Sequence, residues 1–196
     1  MDLTTFIQAA GYAGVTGIVF AESGLLVGFF LPGDSLLFTA GLLASQGYFN
    51  IYWLVALTAV AAVVGDNVGY GFGHKWGRRL FDKKDGRFFK RENLIKAEKF
   101  YEEYGAKTIV LARFMPFIRT FAPIVAGIGK MDYRTFFRYN LIGGVLWAAG
   151  MTLAGYWLGQ IVPGVDRYLL PIIALIVIAS VIAPAREYLA QKRSKK

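Results

Sequence analysis

The sequence predicts an all-α integral membrane protein. Its architecture reads as an inverted repeat of two re-entrant helical hairpins, each followed by a transmembrane helix, plus terminal helices. Three observations lead there. The 196-residue chain is 56% hydrophobic with a mean hydropathy of +0.45, and several apolar runs approach the length of a membrane span. The formal net charge of +9 is gathered in clusters between those runs. Two of the runs are broken by proline, and similar motifs recur around both breaks. The chain therefore reads as one polytopic domain, residues 1–196.

Residues 4–20 form the first apolar segment, followed by Glu22. Asp2 precedes it with no basic stretch, which is not the pattern of a cleaved signal peptide. The first hairpin spans 23–47 and is interrupted at Pro32-Gly33-Asp34. Residues 48–73 read as a spanning helix, mostly apolar from Ile51 to Val64. Residues 74–107 form a basic cytoplasmic segment with an amphipathic helical pattern at Leu94, Ala97, Phe100, Tyr101 and Tyr104. Such a helix is expected on the membrane surface, its basic residues drawn to anionic lipid. The second hairpin spans 108–129, where Arg113 and Arg119 share an apolar stretch with Pro116 and Pro123. Residues 139–160 are a second long span. Asp166 and Arg167 lie in a short connection, and 168–185 form a last span before a basic tail.

Basic clusters between apolar spans mark cytoplasmic loops. The segment before the second hairpin is strongly basic, and Lys130, Arg134 and Arg138 follow it. Both ends of the hairpin are thus expected on the cytoplasmic side, so the segment enters and returns without crossing. Its prolines fit that reading, because each removes a backbone donor and disfavours continuous helix. Irregular backbone at membrane depth survives only inside protein or against a watery cavity. The same logic puts the C-terminus of this multi-pass protein in the cytoplasm; the expected location is the plasma membrane.

The repeat is carried by ordered matches. Phe30-Leu31-Pro32 corresponds to Phe114-Met115-Pro116, and Ala40-Gly41 to Ala126-Gly127. Gly47-Tyr48-Phe49-Asn50 corresponds to Gly129-Lys130-Met131-Asp132, and Gly69-Tyr70-Gly71-Phe72-Gly73 to Gly155-Tyr156-Trp157-Leu158-Gly159. The offset stays at 82–86 residues. Paired interrupted segments in an inverted repeat are a transporter signature.

Composition excludes several chemistries. Without cysteine there are no disulfides and no thiolate metal sites. With His74 as its one histidine, the chain has no site built on two. No metal, cofactor, nucleic-acid partner or enzymatic activity is expected.

The membrane-depth charges need partners. An isolated arginine or aspartate at a helix centre costs about 2.5–3.5 kcal/mol on insertion scales. If the hairpins meet near the midplane, Glu22 and Asp34 can neutralise Arg113 and Arg119. Asp66 and Asn67 either line the path or pack at the end of the first span. Asn140 is a candidate path-lining residue too, though it reads first as a hydrogen-bond partner of a neighbouring helix. Trp53, Trp76, Trp147 and Trp157 read as interfacial or packing residues.

Five ordered motifs across about residues 15–160 carry a family resemblance. They are Phe20-Ala21-Glu22-Ser23-Gly24, Leu31-Pro32-Gly33-Asp34-Ser35, Gly65-Asp66-Asn67-Val68-Gly69-Tyr70, Arg113-Phe114-Met115-Pro116-Phe117-Ile118-Arg119 and Tyr139-Asn140. The chain resembles the DedA membrane proteins, of the superfamily that includes the eukaryotic SNARE-associated Golgi proteins (the VTT domain). The resemblance implies lipid transport through two opposed re-entrant hairpins. In bacteria it implies return of undecaprenyl phosphate to the cytoplasmic leaflet, dependence on the proton-motive force, and resistance to envelope stress. It implies that Glu22 and Asp34 are the essential acids and Arg113 and Arg119 the essential arginines.

The expected function is movement of a phosphate-bearing lipid between leaflets, coupled to protons. Arginine suits a phosphate because it is always charged, planar and capable of bidentate bonding. Glu22 and Asp34 are the expected proton-coupling acids, Arg113 and Arg119 the phosphate ligands, and Pro32, Gly33, Pro116 and Pro123 the breaks that let them reach the headgroup. Oligomerisation is compatible with this. Two other readings stand beside it: a proton-driven ion or small-molecule exchanger, and an intramembrane lipid phosphatase.

Overall fold

The computed structural model describes residues 3–24, 33–77, 101 and 103–161. Pro32 and residues 25–31 of the first hairpin, residues 78–100 of the basic segment, and the last span at 168–185 lie outside the described residues. The described part is helical, with no strand. We number its helices α1 (Leu3–Gly24), α2 (Gly33–Ser45), α3 (Ile51–Phe72), α4 (Lys107–Ala112), α5 (Pro116–Ile128) and α6 (Tyr133–Ile161). A π-helical turn, Gly73–Gly77, extends α3.

Among the described residues two helices are long and apolar enough to cross a membrane, Ile51–Trp76 and Tyr133–Ile161. By contrast α2 and α5 have 13 residues each. At 1.5 Å per residue each is about 20 Å long, against a hydrocarbon core of about 30 Å.

Local chemistry sets the helix ends. Asn50 caps α3, its Oδ1 accepting the N–H groups of Tyr52 and Trp53 at 3.0 and 3.3 Å. Asp132 does the same for α6, accepting the Thr135 N–H and hydroxyl, each at 2.9 Å. These hydrogen bonds hold its exposed carboxyl below the usual carboxylate range. The two caps are 82 residues apart. The turns before them use left-handed backbone, at Gly47 (φ 84°) and Lys130 (φ 53°). The cap explains one difference from the sequence reading. The second span begins at Tyr133 rather than 139, so Arg134 and Arg138 belong to its first turns. Likewise α1 runs to Gly24, and Glu22 lies in its last turn rather than beyond it.

The second hairpin is a helix, a break and a helix. After Ala112 the chain leaves the helix, Met115 is extended (φ −112°, ψ 103°), and Pro116 restarts it. Proline is tolerated there because the first N–H groups of a helix have no intrahelical partner. The break expected at Pro123 is not found, and α5 runs through it. An interior proline costs about 3 kcal/mol. Tertiary packing offsets this: Pro123 is fully buried, beside Gly69 of α3.

Each short helix packs on a long one: α2 along α6, and α5 along α3. Glycine permits both approaches. A Cβ on Gly41 of α2 would strike the Thr152 carbonyl of α6, and one on Gly155 the Phe38 carbonyl of α2. On the other side, a Cβ on Gly127 of α5 would strike the Tyr70 carbonyl, and one on Gly73 the Ile124 carbonyl. Small residues at such seams let backbones touch without a hydrophobic driving force. Gly41 and Gly127 are 86 residues apart, as are Gly73 and Gly159, which abuts Ser45. The core between the long helices is built from Val19, Leu37, Ala59, Ala62, Trp147 and Ala148.

Candidate functional site

Charges gather where α1, α2, α3, α5 and α6 meet, in two clusters. In the first, Arg119 of α5 uses both arms of its guanidinium. Nη1 donates to Asp34 Oδ1 at 2.6 Å, and Nη2 donates to Glu22 Oε1. Glu22 comes from the last turn of α1 and Asp34 from the first turn of α2. Gly33 is part of the geometry, because a Cβ there would overlap the Glu22 carboxylate. Glu22 is almost wholly buried, while Asp34 keeps 37% of its side chain exposed. This is the open member of the cluster.

The second cluster surrounds Arg113, at the end of α4. Its Nη2 donates to Asp66 Oδ2 at 2.5 Å, Asn140 Oδ1 at 2.6 Å and the Ala62 carbonyl at 3.2 Å. Asn140 of α6 donates in turn to the Val63 carbonyl of α3 at 3.0 Å. Arg113 and Asp66 are both about 5% exposed. Gly143 and Gly144 give the guanidinium its room: a Cβ on Gly143 would lie 3.3 Å from Arg113 Cδ, and one on Gly144 3.4 Å from Nη2. The Arg113 side chain thus ties the break between α4 and α5 to both long helices.

The sequence paired two acids with two arginines. The structure brings all four residues to one region but divides them: Arg119 takes both Glu22 and Asp34, and Arg113 takes Asp66 and Asn140. Asp66 is therefore an ion-pair partner, and Asn140 makes the interhelical bond expected of it. Asn67 is at the rim, donating to the Val63 carbonyl at 2.7 Å and accepting from the Tyr133 hydroxyl at 3.0 Å.

The residue that sequence reasoning missed is Trp147. Its Nε1 donates to Asp34 Oδ1 at 2.6 Å. The Arg119 Cζ lies 4.9 Å from its ring centroid and the Arg113 Cζ 6.0 Å. A signal existed: Trp147 sits in the middle of a span, where an indole N–H needs a partner.

Among the described residues no group of histidine or acidic side chains has the arrangement of a metal site. Guanidiniums are donors suited to oxyanions, and carboxylates are groups that take up and release protons. The site holds two guanidiniums and three carboxylates, in helices whose outward faces are apolar.

Two long apolar helices with exposed apolar faces, packed around paired charges, fit an integral membrane protein. Comparison with known proteins agrees. Residues 31–157 match the VTT domain. The chain is 46% identical over 185 residues to Protein DedA of Escherichia coli (strain K12), covering 93% of this chain and 84% of that one. It is 41% identical over 194 residues to an uncharacterized membrane protein of Mycobacterium leprae (strain TN), covering 97% and 87%. A further uncharacterized membrane protein, from Mycobacterium tuberculosis (strain ATCC 25618 / H37Rv), is 44% identical over 187 residues, covering 92% and 82%. No solved structure matches the chain. The chain belongs to the DedA family of VTT-domain membrane proteins.

Proposed function

We propose that the protein moves a phosphate-bearing lipid between the leaflets of the plasma membrane, coupled to protons. The cargo class is a polyprenyl phosphate such as undecaprenyl phosphate, or a related phospholipid. The observation that carries this is Arg119, a guanidinium 12% exposed and shared by two carboxylates from two other helices. A phosphate is the third anion that can compete for it. One guanidinium with two carboxylates carries one excess negative charge, and one bound proton removes it. Protonation of Glu22 or Asp34 frees an arm of Arg119 for phosphate; loss of that proton returns the arm and releases the cargo. Arg113, committed to Asp66 and Asn140, anchors the hairpin beside the site. The protein acts as a transporter and not as an enzyme.

Two re-entrant hairpins in opposite orientations complete the proposal. The 13-residue lengths of α2 and α5, the caps 82 residues apart and the glycine seams 86 apart support it. Labels at Lys90, Asp132 and Ser194 are then reached from the cytoplasm, and one at Val165 from outside. Labelling of position 132 from outside alone would mean that the second hairpin crosses.

The direct test is leaflet-resolved transport of defined phospholipids and polyprenyl phosphates by the purified protein in liposomes, with and without a pH gradient. Glu22→Gln and Asp34→Asn each abolish the response to the gradient while the protein still folds and inserts. Normal gradient response in both variants removes these acids from coupling. Ion flux without lipid movement supports the exchanger, and phosphate release the phosphatase.

A further inference from the structure

Of the four tryptophans, Trp53, Trp76 and Trp157 are 66%, 49% and 60% exposed, whereas Trp147 is 2% exposed. Asp34 Oδ1 accepts two donors at the same distance, Arg119 Nη1 and Trp147 Nε1, each at 2.6 Å. One donor is a cation on α5, the other a neutral group on the long helix α6. The indole ring also faces both guanidiniums.

This arrangement has a consequence for exchange. Asp34 is the exposed acid, at the start of a short helix. If Arg119 were its sole donor, withdrawing Arg119 would leave the carboxylate free to follow the cation or to turn toward water. A fixed indole N–H holds it where Arg119 left it. We propose that Trp147 is a positioning residue that keeps Asp34 in place when Arg119 turns to a phosphate, so that the acid can recapture the guanidinium and expel the cargo. This rests on the transport reading above in one respect, that Arg119 exchanges its acids for a phosphate. The bond from Trp147 to Asp34 is independent of it.

Two consequences can be measured. The first needs no cargo. The full-length protein carrying 15N at its indole nitrogens is studied by NMR in detergent micelles. Trp147 is assigned from Trp147→Phe, or, if that variant does not fold, by elimination with Trp53→Phe, Trp76→Phe and Trp157→Phe. Its N–H resonance is expected at a hydrogen-bonded position in the unaltered protein and in Arg119→Gln, and at a free position in Asp34→Ala. A free position in Arg119→Gln overturns the proposal, because Asp34 is then placed by Arg119 alone.

The second consequence is kinetic. Trp147→Phe keeps an aromatic ring and removes the donor. In liposomes with a polyprenyl monophosphate, turnover is expected to fall about tenfold, the scale of a lost hydrogen bond to a charged group. The half-saturating cargo concentration stays the same or falls, because release is what slows. A purely structural role would instead weaken binding and turnover together, and that result, or turnover equal to the unaltered protein, overturns the proposal. The two experiments also separate the readings. A free Trp147 N–H in the unaltered protein refutes the role of Trp147 whatever the transport result. A bound N–H in Arg119→Gln upholds the placing of Asp34 by Trp147, whereas an unaltered protein that moves no lipid phosphate overturns the transport reading and the recapture step with it.

Discussion

Arg119→Lys is expected to insert into the membrane and fold, yet to lose the proposed lipid-phosphate transport by about tenfold to a hundredfold. The range is the rate equivalent of the roughly 1.5–3 kcal/mol that a hydrogen bond to a charged group contributes. The reason is the use of the fork. Nη1 and Nη2 of Arg119 reach different acids on different helices, and the proposed exchange uses both arms to pass from two carboxylates to one phosphate. Lysine keeps the charge but is a point donor on a flexible stem. Arg113 is the internal control. All three of its hydrogen bonds leave from Nη2, so a single ammonium can replace more of what it does. Arg113→Lys therefore retains a larger share of transport than Arg119→Lys. Liposome transport measured beside thermal unfolding in detergent decides it. If both lysine variants transport at the unaltered rate, the guanidinium is not the headgroup ligand and the exchanger reading moves ahead.

Asp66→Ala is expected to be the most damaging change for stability, with a loss of about 3–5 kcal/mol. It leaves Arg113 buried with its neutral partners, Asn140 and the Ala62 carbonyl, but no counter-charge among the described residues. The fault is the stranded cation and not the missing contact. Removing both charges should therefore recover much of the loss, since buried pairs are often replaced by apolar groups at little cost. Asp66→Ala with Arg113→Met is then more stable than Asp66→Ala alone, and the double-mutant cycle has a large coupling energy. Thermal unfolding in detergent reads both. An Asp66→Ala protein as stable as the unaltered one would show that Arg113 is not held by this pair.

Membrane residence, helical class and the approximate positions of the two long spans followed from the sequence alone, because they depend on summed hydropathy, although the start of the second was set six residues late by its cations. The four charged residues Glu22, Asp34, Arg113 and Arg119 stood out for the same reason: each is costly in hydrocarbon and conspicuous within an apolar run. Recurring glycines and the Asn50 and Asp132 positions were legible as order and spacing, but their work as seams and caps was not.

Partnership was decided by the tertiary structure. A formal count of two acids and two arginines permits several pairings, and only the fold, which brings Arg119 of α5 to the end of α1 and the start of α2, assigns it to Glu22 and Asp34. Arg113, six residues earlier and on the other side of the Pro116 break, faces α3 and α6 instead. Asp66 joins the site because α3 passes beside that break. Trp147 joins it because α2 lies along α6. Pro123 stays helical because its neighbours on α3 include Gly69. Sequence carries the energy each residue brings to an apolar medium. Which neighbour offsets that energy depends on how helices distant in the chain come within hydrogen-bonding reach, and local pattern does not encode that.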